Sequence, residues 1–228
     1  MIASRKEFYF GFSLMVVFVA ILVVMFLPIF DGKNAMQYLD ALYNSISKGS
    51  AYYIPKVKKE TRPFEGTEIS VELKLDTESQ AKQTASLFET GGASVTVSGS
   101  GLAVKGNLGQ IFENSLSDAD NMYHNNGKAL SQKYGYPEKQ VLYNWWKALA
   151  ALDMALKKQK NFSAARVVDL IQKKAMETAY NYYGIEAQKI SDRLAVVVLS
   201  LFFYVVYTLW YGFAILYMFE GWGLKLVH

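Results

Sequence analysis

Asp118, Asp120 and His124 come nearest, by type and spacing, to a metal or acid–base site. On a helix Asp120 and His124 are i, i+4 neighbours, so a carboxylate and an imidazole share one face and can meet one ion. A site needs a third ligand, and none is identifiable. The expectation is a surface carboxylate–imidazole pair near a helix end, where a positive imidazole is favoured. The sequence holds no cysteine and only 2 histidines, His124 and His228. Disulfides, iron–sulfur clusters, thiol nucleophiles and thiolate zinc sites are excluded together. A helical histidine pair for haem or zinc cannot be formed. No serine sits in a nucleophile elbow, and His124 is the one histidine placed to act as a base outside the cytoplasm. Gly99, Gly101 and Gly106 suggest a phosphate loop, but such a loop joins a strand to a helix N-terminus, and here a second strand follows. A hairpin turn is expected. No catalytic, cofactor or metal residue is assigned, and the chain is expected not to be an enzyme.

Aromatic residues are the other conspicuous chemistry. Trp145 and Trp146 are adjacent, hence on different helix faces: Trp145 fits a helical seam, and Trp146 is left to cover something else, as an interface anchor does. Tyr180, Tyr182 and Tyr183 are similar candidates, or meet lipid headgroups. Asn161-Phe162-Ser163 fits the glycosylation pattern, a weak match that matters only in a eukaryotic secretory setting.

These residues lie between two charge-free runs. Residues 8–30 carry no charge, follow Arg5 and Lys6, and reach roughly 34 Å as a helix, enough for a ~30 Å hydrocarbon core. The run exceeds the core of a signal peptide and no small-x-small cleavage site follows it, so a retained anchor is expected. A second charge-free run, 194–219, lies between Arg193 and Glu220. Tyr204, Tyr207, Trp210, Tyr211, Tyr217 and Trp222 crowd its second half. An aromatic belt accounts for the outermost; the inner ones need partners for O–H and N–H groups deep in a bilayer. Trp146, Tyr204, Tyr207, Trp210 and Tyr211 are therefore the expected partner-interface residues. The N-terminal Arg5 and Lys6 place both termini in the cytoplasm and the middle outside, while Lys189 and Arg193 against Lys225 argue the other way across the second span.

Charged residues make up 19% of the chain and hydrophobic ones 52%, which excludes intrinsic disorder. A net charge of +4, small and scattered, gives no footprint for nucleic acid. Between the spans, Met36, Leu39, Tyr43 and Ile46 mark one face of a short helix, expected to pack rather than to bind lipid. Residues 51–66, with two prolines and several basic residues, read as a connector. Ile69, Val71, Leu73 and Leu75 alternate with polar residues in a half-buried strand. Thr77 and Gln80 resemble a capping box, Ala81, Ala85 and Phe88 line one helix side, and Gly91-Gly92 stop it. Val95 and Val97, then Leu102 and Val104, form a hairpin, and Ile111, Phe112, Leu116, Ala119 and Met122 or Tyr123 mark another helix. This strand–helix–strand–hairpin has the connectivity of half a ferredoxin-like fold. Leu142, Trp145, Leu149, Leu152 and Leu156 make the seam of a helical hairpin that bends at 157–161 and continues through Val167, Leu170, Ile171, Ala175 and Ala179. Unless Gly184 interrupts it, this second helix runs on toward the second span as a stalk.

The expected fold class is a membrane α+β protein: two transmembrane helices flanking a small α+β unit and a helical hairpin stalk. The expected division is a tail at 1–7, a span at 8–30, a juxtamembrane helix and connector at 31–67, the α+β domain at 68–135, the hairpin at 136–191, a span at 192–219 and a tail at 220–228. With the middle outside, tails this short are expected to leave no room for a cytoplasmic output domain. The expected function is a non-catalytic accessory subunit of a larger membrane complex, whose extracytoplasmic domain binds or positions a partner. The expected location is the cell membrane, a bacterial inner membrane with a periplasmic central domain. Partners are membrane lipid, other integral membrane subunits and an extracytoplasmic protein, with no cofactor and no nucleic acid. The alternative is an extracytoplasmic ligand-sensing module coupled to a membrane partner.

Overall fold

The structure, a computed structural model, describes residues 2–224. His228 and Lys225, and with them the end of the expected tail at 220–228, lie outside the described residues, as does Met1. By internal contacts the chain forms two units: Ser50–Glu186, and the flanking segments Met1–Gly49 and Ala187–His228 together. The described residues are mostly helical, with one small three-stranded sheet and two helices long and apolar enough to cross a membrane.

Those two helices, α1 (Arg5–Met25) and α10 (Ile190–Gly221), pack antiparallel in the flanking unit. The amides of Ala3 and Ser4 donate to the Gly221 carbonyl at 2.8 and 3.0 Å, which brings the start of one helix to the end of the other. α1 stops earlier than the charge-free run at 8–30, because Pro28 disfavours helical backbone at the residue before it. α2 (Ala35–Ser50) starts at a reciprocal cap that spacing alone did not draw out: Asn34 Oδ1 accepts from the Gln37 amide at 2.8 Å, and Gln37 Oε1 from the Asn34 amide at 3.1 Å. Its buried side is turned from the expected face toward Leu42 and Ser45, with Met36 exposed. The reason is local: the Ser45 carbonyl accepts from the Gln188 amide at 3.1 Å, and the Tyr43 hydroxyl meets Ser200 Oγ of α10 at 2.8 Å. α2 belongs to the helix pair.

In the central unit the expected connector is ordered structure. Pro55 stands in the first turn of α3 (Ile54–Thr61), where its missing N–H costs nothing, and a 3-10 turn follows at Arg62–Phe64. Ile54, Val57 and Phe64 enter the core. β1 (Glu68–Lys74) buries every second residue, as its alternation predicts. α4 (Glu78–Thr90) is capped by Thr77, whose side chain accepts from the Gln80 amide, while Gln80 Oε1 reaches back to the amide of Asp76 rather than of Thr77. β2 (Ser94–Ser98) and β3 (Gly101–Asn107) form a hairpin. Its two-residue turn has Gly99 at φ 57°, the conformation a glycine supplies at the first position of a type II′ turn. The sheet order is β1-β3-β2, antiparallel throughout, with Val71 opposite Val104 and Val95 opposite Val104 on the other side.

Helices follow: α5 (Leu108–Tyr123), α6 (Gly127–Tyr134), α7 (Glu138–Lys158), α8 (Phe162–Ile171), a π-helical turn at Gln172–Met176 and α9 (Glu177–Tyr182). α4, α5 and α7 pack on the sheet, and the others pack around α5 and α7. The seam of α7 is fully buried, and α7 packs against β1, α4 and α8. The boundary expected between 135 and 136 thus separates elements that share one core. Helix does not run on into α10: Tyr183 is extended, Gly184 has φ 83°, and helix resumes at Ile190.

Candidate functional site

Asp118 and Asp120 stand two residues apart on α5 and do opposite things. Asp118 is buried at the meeting of α5, α6 and α7. Its Oδ2 accepts from the Tyr134 hydroxyl at 2.5 Å and from Trp145 Nε1 at 2.8 Å, and its Oδ1 from Lys133 Nζ at 2.8 Å. Lys133 also donates to Asn114 Oδ1 at 2.6 Å. A buried carboxylate is tolerated only when paired and hydrogen-bonded, and here both oxygens are occupied. Burial first, then the Asp118 charge, pushes the Tyr134 phenol far above the ordinary tyrosine range. Asp118 ties α5, α6 and α7 together through these three bonds.

Asp120 lies on the exposed side. The Tyr52 hydroxyl donates to its Oδ1 at 2.7 Å, and His124 Nδ1 lies 3.3 Å from the same atom and 2.9 Å from the Asp120 carbonyl. Burial, and then this hydrogen bond, push the Tyr52 phenol up to about 12. The three residues singled out by spacing are therefore divided between the core and a surface corner. Among the described residues, no group of three or more His, Cys, Asp or Glu side chains is placed to hold a metal ion.

Trp146 opens a different feature. Where Trp145 turns into the core, Trp146 is half-buried and floors a cleft of about 320 Å³ with Leu142, Tyr143, Met176, Glu177, Tyr180 and Asn181. Trp146 Nε1 donates to Glu177 Oε1 at 2.9 Å, and its carbonyl accepts from Gln172 Nε2 at 3.0 Å. The far wall, Met176 to Tyr180, rises from the π-helical turn. π-bulges interrupt helices mostly where a side chain must be re-aimed, often at functional sites. Two cations rim the cleft. Lys139 Nζ lies 5.9 Å from the Tyr180 ring centre. Lys147 Nζ lies 5.8 Å from the Trp146 ring centre and pairs with Asp76 at 2.8 Å. Hydrogen bonding to Asp76 holds the Lys147 ammonium above its usual range. Of these walls the sequence marked Trp146 and Tyr180 as interface candidates and Leu142 only as part of the seam. The readable signal was their spacing: Tyr143 and Trp146 at i, i+3 and Met176 and Tyr180 at i, i+4 put aromatic and sulfur groups on facing ridges.

The aromatics of α10 also divide. Tyr207 donates from its hydroxyl to the Phe18 carbonyl of α1 at 2.8 Å, and its ring stacks on Phe18 with centres 4.2 Å apart. Trp210 Nε1 donates to the Leu14 carbonyl at 3.1 Å. Close backbone approach makes these bonds reachable: a Cβ on Gly11 would lie 2.6 Å from the Met218 amide nitrogen and 2.8 Å from the Ala214 carbonyl oxygen. Tyr211 packs against Phe18 with ring centres 5.2 Å apart. Tyr204 faces away, 68% exposed, and its hydroxyl has no hydrogen-bond partner among the described residues. No family model, curated protein or solved structure matches the chain.

Proposed function

We propose that this chain is a non-catalytic accessory subunit of a larger membrane complex. In this reading α1 and α10 span the bilayer, and the central unit stands on the extracytoplasmic side to bind or position a partner. Arg5 and Lys6 at the start of α1 support the orientation. The observation that carries the reading is Tyr204. It sits near the midpoint of α10 with a free hydroxyl, whereas Tyr207, about one turn on, and Trp210, nearly two, have acceptors. A tyrosine at mid-helix is too short to reach the interface about 15 Å away, and a hydroxyl left unpaired in hydrocarbon costs several kcal/mol. A helix of another subunit supplies the missing acceptor. The Trp146 cleft, apolar and aromatic with a polar edge, offers the central unit a seat for a partner's anchor side chain.

Mild-detergent extraction of the native membrane, followed by sizing and mass spectrometry, tests this. Larger subunits in fixed stoichiometry are expected, with Tyr204→Phe and Trp146→Ala each weakening their retention. Extraction of this chain with no other polypeptide overturns the reading. Protease digestion from the outer side, cutting between α3 and α9, tests the orientation.

The ligand-sensing alternative is favoured by one observation: about 320 Å³ is within the range of small-molecule pockets, and the cleft adjoins a π-helical turn, a feature frequent at functional sites. It predicts a ligand that raises the melting temperature of the wild type and leaves Trp146→Ala unmoved.

A further inference from the structure

The two edges of the sheet are finished differently. On the β1 edge, Glu68, Glu72 and Lys74 are exposed charges, and Gln159 Nε2 of the turn after α7 caps the outward Ser70 carbonyl at 2.8 Å. Charges and a covering group are the usual protection of an edge strand. β2, the other edge, has neither. Its sequence Ser94-Val95-Thr96-Val97-Ser98 holds no charge and no proline, and pairs without a bulge. Among the described residues its backbone has no hydrogen-bond partner other than β3.

The register identifies which groups are free. In a two-residue hairpin the residues flanking the turn, Ser98 and Gly101, are a hydrogen-bonded pair, and pairs alternate from there. Ser94, Thr96 and Ser98 therefore spend their backbone groups on β3, and Val95 and Val97 point theirs outward. Val97 also leaves its side chain 37% exposed at the rim of the core face, with Val95 half-buried beside it.

The five residues read the same in both directions about Thr96. Two copies of such a strand, laid antiparallel on a two-fold axis through Thr96, set Val95 opposite the second copy's Val97, Thr96 opposite Thr96 and Ser94 opposite Ser98. An interface between identical chains must be self-complementary in this way. The palindrome also agrees with the hydrogen bonding: the Val95–Val97 pairs are those with outward N–H and C=O, so each exchanges both bonds, about four in all. Every exposed valine then meets a valine on the core face, and a row of hydroxyls lines the other face, both favourable cross-strand pairings. We infer that a second copy of this chain docks on the β2 edge, joining two three-stranded sheets into one about a two-fold axis at Thr96. This goes beyond the accessory reading and does not depend on it.

The absence of cysteine makes the test direct, because any introduced thiol is the sole thiol of its chain. In this register the two Thr96 Cα atoms form a non-hydrogen-bonded pair about 4.5 Å apart, within disulfide range. The two Ser94 Cα atoms are roughly 13 Å apart, beyond it. Full-length Thr96→Cys in detergent is expected to form a covalent dimer under mild oxidation, at least tenfold faster than Ser94→Cys. Mixed Ser94→Cys and Ser98→Cys chains are expected to cross-link to each other. Val97→Lys is expected to give a monomeric mass in sizing with unchanged circular dichroism. Thr96→Cys that stays monomeric, or cross-links no faster than Ser94→Cys, overturns the inference; so does a Val97→Lys chain that stays folded and dimeric. Should Val97→Lys unfold, the ratio of the two cysteine rates decides alone.

Discussion

The helix pair and the central unit solve one problem in two ways. Each buries aromatic side chains whose N–H or O–H must find an acceptor. In the central unit Trp145 and Tyr134 share a carboxylate, Asp118, whose charge is balanced by Lys133. In the helix pair Trp210 and Tyr207 donate to main-chain carbonyls of α1, which already serve the helix and accept a second bond through a free lone pair. A carboxylate brings strong, short bonds but needs neighbouring donors to neutralise it. In a segment charge-free from 194 to 219 the backbone is the acceptor within reach. The charged solution stakes more energy on one residue, and the backbone solution spreads it over two close-packed helices.

Removing Asp118 should break this comparison most severely. Asp118→Ala leaves the buried Trp145 indole N–H and the half-buried Tyr134 hydroxyl without their acceptor and Lys133 with Asn114 alone. Losing three bonds to a charged group should cost about 3–5 kcal/mol, read as a lowered denaturation midpoint of the central unit by tryptophan fluorescence. An Asp118→Ala chain as stable as wild type would remove the carboxylate from its central role. The indoles sharpen the point. Trp145→Phe loses a bond to a charge and leaves a cavity, about 3 kcal/mol together. Trp210→Phe gives up a bond to a carbonyl and should cost well under half of that in mixed-micelle unfolding, since hydrogen bonds between membrane helices average about 0.6 kcal/mol. Equal costs would show that the two acceptors are equivalent.

Gly11→Val tests whether the backbone solution rests on close approach. Its added carbons meet the backbone of Met218 and Ala214, so the helices must separate, at about 1–3 kcal/mol. Tyr207→Phe on top of Gly11→Val should then cost nothing further, because the hydroxyl no longer reaches Phe18. Full additivity of the two substitutions would show that the helices had not moved. The smallest effect concerns the exposed carboxylate. Tyr52 titrates near 12 instead of 10 because burial and Asp120 favour its neutral phenol. A raised folded pKa contributes stability that is complete below about pH 10 and is lost as pH rises through about 12. The stability of Tyr52→Phe should therefore fall less steeply than that of wild type over this window. Asp120→Asn should flatten the slope only in part, since burial is the larger cause.

Local patterns were legible wherever one period ran uninterrupted. The alternation of Ile69, Val71 and Leu73, the 3–4 steps from Leu142 to Leu156, the Thr77 cap and the charge-free runs each act within one element, and each element formed over its pattern, α1 ending at Met25 short of its run. Ile54, Val57 and Phe64 carried the same kind of signal but were masked by two prolines, of which Pro55 begins a helix rather than ending one. The candidate residues were legible only as types. Asp118 and Asp120 are the same residue type two positions apart, yet one is core and the other surface, because a turn of about 100° per residue on α5 decides which side meets α6 and α7.

By itself the amino-acid sequence determined the inventory: no thiol chemistry, two apolar helices, a strand–helix–hairpin and a buried leucine–tryptophan seam. Those follow from side-chain chemistry and from periods of two and 3.6, which act within one element. Only the tertiary structure decided which donors meet Asp118, that Tyr207 and Trp210 turn to α1 while Tyr204 does not, and that β2 is left as an open edge. These are relations between elements far apart in sequence. They depend on how helices rotate and strands order when one core is filled, and no local period encodes that.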